Sequence, residues 1–283
     1  DDVAAAAGVS RWTVARAFKK DASISPGSRD RVLTAARRLG YAPDLLAASL
    51  ASDRSNLVAL ITNDFNNPHK LVLLERLTRI LSGHGWATLL IHMSDSDDAS
   101  AALLAASQRR VDAAVLIGTR FDDSVLDTAL GARRVKKLVV FARYSQNPNT
   151  LTIACDDILA MGRIADHLVE RGYRRPAFLA GPDTQSAKLH RKSAFIEHWR
   201  SRTGGDVATV HAEAYDFGAA IEAVSLLFTG AMESRPDVLV CENDILAIGA
   251  MDALRYRLGL KVPEDVAVTG FDDIPLSLSP AYR

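Results

Sequence analysis

Asp1-Asp2-Val3-Ala4-Ala5-Ala6-Ala7-Gly8-Val9-Ser10-Arg11-Trp12-Thr13-Val14-Ala15-Arg16-Ala17-Phe18-Lys19-Lys20 reads as two short helices joined by a turn. Residues 3–7 are an alanine-rich helical run. Gly8 follows where a helix C-terminus favours a residue tolerant of positive φ. Val9 turns inward, and Ser10 is placed to cap the next helix through its hydroxyl. Val14 and Phe18, four apart, share one face, while Arg11, Trp12 and Arg16 project from the opposite side. A helix with a buried seam and an Arg-rich outer face, entered through a three-residue turn, is the arrangement that reads a DNA major groove. An ordinary amphipathic helical hairpin is the competing reading of this segment taken alone.

The next residues add a third helix and a charge. Ser25-Pro26 opens a run to about Leu39, with Val32, Leu33, Ala36 and Leu39 at helical spacing and Gly40 as its stop. Between residues 11 and 38, eight basic residues (Arg11, Arg16, Lys19, Lys20, Arg29, Arg31, Arg37, Arg38) stand against Asp21 and Asp30, a balance of +6. The whole chain is neutral, with 34 basic and 34 acidic residues. The positive charge is therefore concentrated where it can neutralise phosphates, although a solvated charged face would look the same.

Asp2-Val3-Ala4, Ala7-Gly8-Val9-Ser10, Thr13-Val14 and Arg16, followed by Gly40-Tyr41, Pro43 and a short alanine/leucine run, resemble the lactose-repressor (LacI/GalR) family of bacterial transcription regulators. The resemblance covers essentially the whole chain. It implies a helix-turn-helix headpiece over residues 1–44, with Ser10, Arg11, Trp12, Thr13, Arg16 and Tyr41 toward DNA. Arg16 suits a bidentate contact to guanine O6 and N7. Trp12 either packs on a thymine methyl or covers the sugar–phosphate wall, and Ala15 replaces a serine common in the family. Residues 45–55 would be a hinge helix and linker, with Leu50 as a minor-groove wedge that kinks the operator. Leu45 and Ala48 stand where polar or basic residues are common, which removes phosphate contacts there. Burial against the body of the protein is the other reading of Leu45, Leu46 and Leu50.

Beyond residue 55 short β-branched runs alternate with amphipathic helices. Strands are expected at 57–62, 86–91, 113–117, 138–141, 177–180, 207–211, 238–241 and 266–269. Helices are expected near 70–83, 99–110, 123–131, 157–171, 187–202, 217–229 and 243–258. Such alternation requires crossover connections, hence parallel sheets with helices on both faces. The expected fold is α/β: an all-α headpiece plus a doubly wound, two-lobed core over 56–283, with lobes near 56–154 and 155–283. The resemblance makes that core periplasmic-binding-protein-like, with effector binding and dimerisation as its tasks.

In doubly wound sheets ligands bind beyond the carboxyl ends of strands. There the resemblance implies effector contacts from Phe65, Arg143, Arg191, Tyr215, Asn243 and Asp272. Arg191 offers a forked guanidinium for vicinal hydroxyls or a carboxylate. Asn243 both donates and accepts toward a hydroxyl, Asp272 accepts, and Tyr215 supplies an aromatic platform. Asp244 and Asp273 read more simply as helix caps. His69 stands in place of a usual aromatic. Ala142-Arg143 replaces a common Asp-Arg, which means either one hydroxyl fewer to hold or an anionic effector. A sugar or sugar-like metabolite is the expected class.

Catalysis is not expected. Gly83-His84-Gly85 begins like a dinucleotide fingerprint, but position 88 is Thr and the segment precedes a strand. The sequence has no nucleophile elbow, Walker loop or His-Glu-x-x-His, so neither cofactor nor metal is expected. Cys155 and Cys241 fall in or beside strand patterns and read as reduced core thiols. No run approaches the ~20 apolar residues of a membrane span, and a cytoplasmic protein is expected. The expected partners are a palindromic double-stranded operator, a small-molecule effector and a second copy of the chain. A solute-binding protein of the periplasmic sugar-binding kind is the alternative, against which the basic headpiece argues. The opening without Met and the stop at Pro280-Ala281-Tyr282-Arg283 suggest missing segments at both ends, and hence a piece of low stability.

Overall fold

The computed structural model describes residues 1–19, 22–44, 49, 54–63, 65, 67–93, 99–118, 126, 135–142, 145, 147–182, 190–229 and 235–282. The chain divides into two compact units, Asp1–Ser55 and Asn56–Arg283.

In the first unit, α1 (Asp2–Ala7) ends at Gly8, whose φ of 60° lets its amide reach back to Ala4 and Ala5. α2 (Arg11–Ala17) starts at Ser10, whose Oγ accepts from the Thr13 amide at 3.1 Å. α3 (Pro26–Leu39) is capped by Ser25 and closes at Gly40, with the Tyr41 amide donating to Ala36 O at 2.9 Å. Val3, Ala7, Val14, Ala17, Val32, Ala35 and Ala36 form one apolar cluster, with Val9 and Phe18 packed on it. These are small residues, so three short helices approach closely around a core with few large side chains.

The second unit holds two parallel sheets among its described residues. The first contains β1 (Leu57–Thr62), β2 (Ala87–His92), β3 (Ala113–Ile117), β4 (Leu138–Phe141) and β5 (Leu151–Ile153), in the order β2-β1-β3-β4-β5. The second contains β6 (Pro176–Ala180), β7 (Ala208–His211), β8 (Val238–Cys241) and β9 (Ala267–Thr269), in the order β7-β6-β8-β9. In each the chain leaves the first strand to one side and then crosses to the other, which puts a topological switch between β1 and β3 and between β6 and β8.

Period-two alternation explains why both faces of each sheet are apolar. Ala59, Ile61, Ala114 and Leu116 pack on one face with Leu103 of α5 (Ala99–Gln108). Val58, Leu60, Val115 and Ile117 pack on the other with Leu74 of α4 (Pro68–Gly83). In the second sheet Phe178 and Val240 meet α6 (Asp157–Glu170) and α7 (Arg191–Thr203) through Met161, Phe195 and Trp199. Leu179 and Leu239 meet α8 (Phe217–Leu227) and α9 (Asp244–Asp252) on the opposite face.

The expected α/β class and headpiece-plus-core architecture are present. β5 escaped the sequence reading because it has three residues, two of them exposed, so no buried run announced it. The pattern at 243–258 is not one helix: α9 stops at Asp252 and a single π-helical turn, Ala253–Arg257, follows. β2 begins at Ala87, while Trp86 packs half-buried against the α4 cluster. Of the helix expected at 123–131, only Leu126 lies within the described residues.

Candidate functional site

Two places gather the expected functional side chains. The first is the outer face of α2. Ser10 and Thr13 hold each other, Oγ to Oγ1 at 3.0 Å. Arg11 is exposed and paired with the Asp1 carboxylate. Trp12 is 67% exposed, and the Arg16 guanidinium lies over its ring, 4.1 Å from the centroid. Tyr41, also exposed, stands at the end of α3 with its ring 5.9 Å from that of Phe18. Leu50 lies outside the described residues.

Arg29 corrects the charge reading. Its Nη1 donates to Ala17 O at 2.9 Å and Lys19 O at 3.1 Å, and its Nη2 to Ala22 O at 3.1 Å. It therefore ties the last carbonyl of α2 to the carbonyls of Lys19 and Ala22 that follow it. Arg29→Ala should destabilise this unit by about 2 kcal/mol, as charge-assisted bonds to carbonyls are lost. Arg29→Lys should recover little, because an ammonium lacks the fork. Melting of the variants checks this; an unchanged midpoint in Arg29→Ala would return Arg29 to the phosphate-facing set.

The second place is the cleft of the core unit, at the carboxyl ends of the strands. Arg191, the first residue of α7, is its hub. Its Nε donates to Asp157 Oδ1 at 3.3 Å and its Nη1 to the Glu242 carbonyl at 2.8 Å. Nη1 also lies 3.5 Å from Asp272 Oδ1, and the guanidinium sits 3.7 Å from the Phe271 ring centroid. Asp157 and Asp272 are both buried at their side chains. Together with His69, Phe141 and Cys155 these residues line a cavity of about 370 Å³.

Behind Arg191 stands a second layer. Glu242 Oε2 accepts from the Gly181 amide at 2.6 Å and the Tyr215 hydroxyl at 3.0 Å. The Tyr215 ring lies so close over Gly181 that a Cβ there would meet it at 2.1 Å. Tyr215 is thus bound into the cleft wall, and burial together with Glu242 pushes its phenol pKa up.

Asn243 takes the capping role expected of Asp244. Asn243 caps α9, accepting from the Leu246 amide at 3.1 Å. Asp244 instead holds the turn after β9: its amide donates to Phe271 O and its Oδ2 accepts from the Ile274 amide, both at 2.8 Å. In that turn Asp272 and Asp273 carry φ of 107° and 52°, conformations L residues rarely adopt. Asp244 stabilises them, and presses so near Gly270 that a Cβ there would lie 2.1 Å from its Oδ1.

Burial raises the Asp272 carboxyl to about 7, outweighing the pull of Arg191 in the other direction. Between the ordinary carboxylate value and 7 the folded chain retains a proton that the unfolded chain has released. Stability therefore falls as pH rises from about 4 to about 7. Wild-type protein should melt higher at pH 5 than at pH 8, and Asp272→Asn should shrink that difference. An equal difference in the variant would relocate the proton. His69 moves oppositely: burial, then Arg191, lowers its pKa and favours neutral imidazole.

Other expected residues are placed differently. Phe65 lies half-buried on the α4 side of the first sheet, its ring 5.3 Å from that of His92. Arg143 lies outside the described residues. Cys241 is a buried core thiol, but Cys155 is exposed and lines the cavity, since β5 ends two residues before it. The sequence reading passed over Asp157, which resembles an ordinary cap beside Asp156, and Glu242, visible only as the residue before Asn243. Their partners lie 34 and 51 residues away along the chain, so spacing gave no signal.

A capped helix-turn-helix unit followed by two doubly wound lobes around a charged cleft defines a helix-turn-helix regulator with a periplasmic-binding-protein-like core. The family profile of bacterial regulatory proteins, lacI family, matches residues 1–44. That of periplasmic binding proteins and the sugar-binding domain of the LacI family matches residues 30–277. The chain is 31% identical to the sucrose operon repressor of Escherichia coli, over 96% of this chain and 83% of that one. The crystal structure of the Lac repressor dimer bound to operator and the anti-inducer ONPF superposes with a TM-score of 0.83 at 23% identity, covering 98% of this chain and 82% of that one. The transcriptional regulator CelR in complex with cellobiose gives 0.67 at 26% identity, covering 98% and 83%. The chain belongs to the LacI family of bacterial regulatory proteins.

Proposed function

We propose that this chain is a transcriptional repressor that binds a palindromic operator as a homodimer and is controlled by a small-molecule effector in the core cleft. The observation that carries the DNA reading is α2 itself. Its seam is buried on α3, its first turn is capped by Ser10, and its outer face offers Arg11, Trp12 and Arg16. Ser10, Thr13 and Tyr41 flank that face as backbone contacts. Leu50 serves as the minor-groove wedge and Arg143 as an effector contact, both on the family resemblance.

The effector is read as a neutral, hydroxyl-bearing sugar. Arg191 already faces two buried carboxyls, Asp157 and Asp272, so its positive charge is answered within the protein and the cavity offers an anion no net attraction. Hydroxyls instead find acceptors in the carboxylates and donors in the guanidinium, and Asn243 joins them as an effector contact on the family resemblance. Phe141, Ile153 and Phe271 shape the walls; Tyr215, held behind Arg191 by Glu242, and Phe65 are effector contacts on the family resemblance. The sucrose operon repressor and the cellobiose-bound regulator among the relatives agree with this class. Exposed Leu71 and Ile80 on α4 and Leu90 on β2 offer apolar surface for the second copy. Effector binding between the lobes favours one lobe arrangement over another and so changes operator affinity. The action is binding rather than catalysis and takes place in the cytoplasm; no described helix is long and apolar enough to cross a membrane.

The test is sequencing of genomic fragments retained by the protein at moderate salt, repeated with mono- and disaccharides added. An enriched palindrome whose recovery shifts with one sugar supports the reading. Retention that is independent of both sequence and salt removes the DNA function and leaves a solute binder.

A further inference from the structure

We propose that the effector is a sugar joined to an apolar aglycone, an alkyl or aryl glycoside, whose hydroxyls meet Arg191, Asp157 and Asp272 while its aglycone lies against Phe141 and Ile153 and leaves the cavity past Ile158. This rests on the sugar reading above and narrows it to one class of sugar derivative. It follows from how the cavity lining divides. The charged groups belong to the second lobe: Asp157 opens α6, Arg191 opens α7 and Asp272 lies in the turn after β9. They are gathered at one spot, since Arg191 stands within 3.5 Å of both carboxyls.

The first lobe contributes the ends of β4 and β5, which bring Phe141, Ala142, Ile153 and Ala154, with Cys155 after them. Among the described lining residues on that side, His69 alone has a strongly hydrogen-bonding side chain. The Cys155 thiol is a weak donor, and burial together with Asp157 raises its pKa and holds it neutral. The backbone is engaged as well, the Ala142 amide donating to Ile153 O at 2.9 Å.

A free sugar does not match such a lining. Its hydroxyls run around the whole rim of the ring, and those turned away from Arg191 would be buried against carbon. Each one left unpaired weakens binding roughly 5- to 100-fold. An aromatic ring can take the C–H face of the sugar, but Ile153 and Ala154 are then left for the rim. A glycoside resolves the mismatch by carrying an apolar group where the free sugar has its anomeric hydroxyl. The way out has the same character. Leu151, Ile153, Ile158 and Leu159 are between 45 and 69% exposed, four large apolar side chains within nine residues, and Ile158 directly follows the cavity-lining Asp157. Such a cluster marks a binding surface where single exposed residues would not.

The test uses the full chain and titration calorimetry. Glucose, galactose and fructose are each offered as the free sugar, the methyl glycoside and the phenyl glycoside, in both anomers. For the sugar that binds, the phenyl glycoside should bind about 10- to 100-fold more tightly than the methyl glycoside, the worth of burying one ring. Ile153→Thr, which keeps a β-branched residue in β5, and Ile158→Ser should each narrow that ratio. Because Ile158 is exposed, Ile158→Ser should melt as wild type does, so its ratio is read on a folded protein. Equal binding of methyl and phenyl glycosides overturns the proposal and leaves the effector a free sugar. A ratio unchanged in both variants overturns it too, as does a phenyl glycoside that the methyl glycoside of the same sugar cannot displace. Silence of the whole panel overturns it together with the sugar reading.

Discussion

Arg191→Ala will destabilise the Asn56–Arg283 unit by about 3–5 kcal/mol, the usual cost of removing one partner from a buried ion pair. For a unit of this size that is a fall of roughly 10 °C in melting midpoint. Arg191 touches three separate parts of the chain: Asp157 at the start of α6, the Glu242 carbonyl after β8, and Asp272 in the turn after β9. Its removal leaves two buried carboxylates facing one another with no cation between them. Arg191→Lys will restore only part of the loss, since one ammonium cannot address three acceptors set around a planar fork.

The deficit will also depend on pH, in a stated direction. Without the guanidinium the Asp272 carboxyl, already raised by burial, binds its proton more tightly, so acid neutralises that unpaired charge. Arg191→Ala should therefore lie much nearer to wild type at pH 5 than at pH 8. Adding Asp272→Asn to it should recover stability at pH 8, because one of the two facing charges is gone. A deficit that is equal at both pH values would mean that the guanidinium acts through packing on Phe271 instead of through charge. Response of operator binding to the effector is expected to disappear in every variant lacking Arg191, including those whose stability is restored.

The sequence declared the parts of this molecule that are built locally. Gly8, Ser10, Ser25-Pro26 and Gly40 are helix boundaries because capping is satisfied within three or four residues, and each one stands where the structure uses it. The inner strands β1, β3, β6 and β8 were legible because burial on both faces demands unbroken apolar runs. β5 was not, being short and half solvated. Arg29 looked like its basic neighbours until α2 ended within reach of it. Asn243 and Asp244 are equally good caps in isolation, and only the turn at 270–274, almost thirty residues later, draws Asp244 away. The family resemblance located Arg191 and Asp272, but not Asp157 or Glu242. Their roles exist only once α6, α7 and β8 have been brought together.

Arg16→Ala is expected to abolish operator selection while leaving the protein folded. A bidentate guanine contact is worth about 1–3 kcal/mol of discrimination. In a homodimer both half-sites lose it, so specific affinity should fall by roughly 30-fold to 10⁴-fold. The guanidinium's neighbour, Trp12, is itself exposed, so no core packing is lost with it. Melting should be unchanged, in contrast with Arg29→Ala, and weak binding to unrelated DNA at low salt should persist through the remaining basic residues. Arg11→Ala should cost less, because the Asp1 carboxylate competes with DNA for that side chain. Arg16→Lys should recover salt-dependent affinity but not sequence preference, since a point charge reaches a phosphate as well as a base. If Arg16→Ala selects the wild-type motif with wild-type affinity, the reading residue lies elsewhere on α2, and Arg11, whose pairing with Asp1 would then have to open on DNA, is the side chain left to supply it.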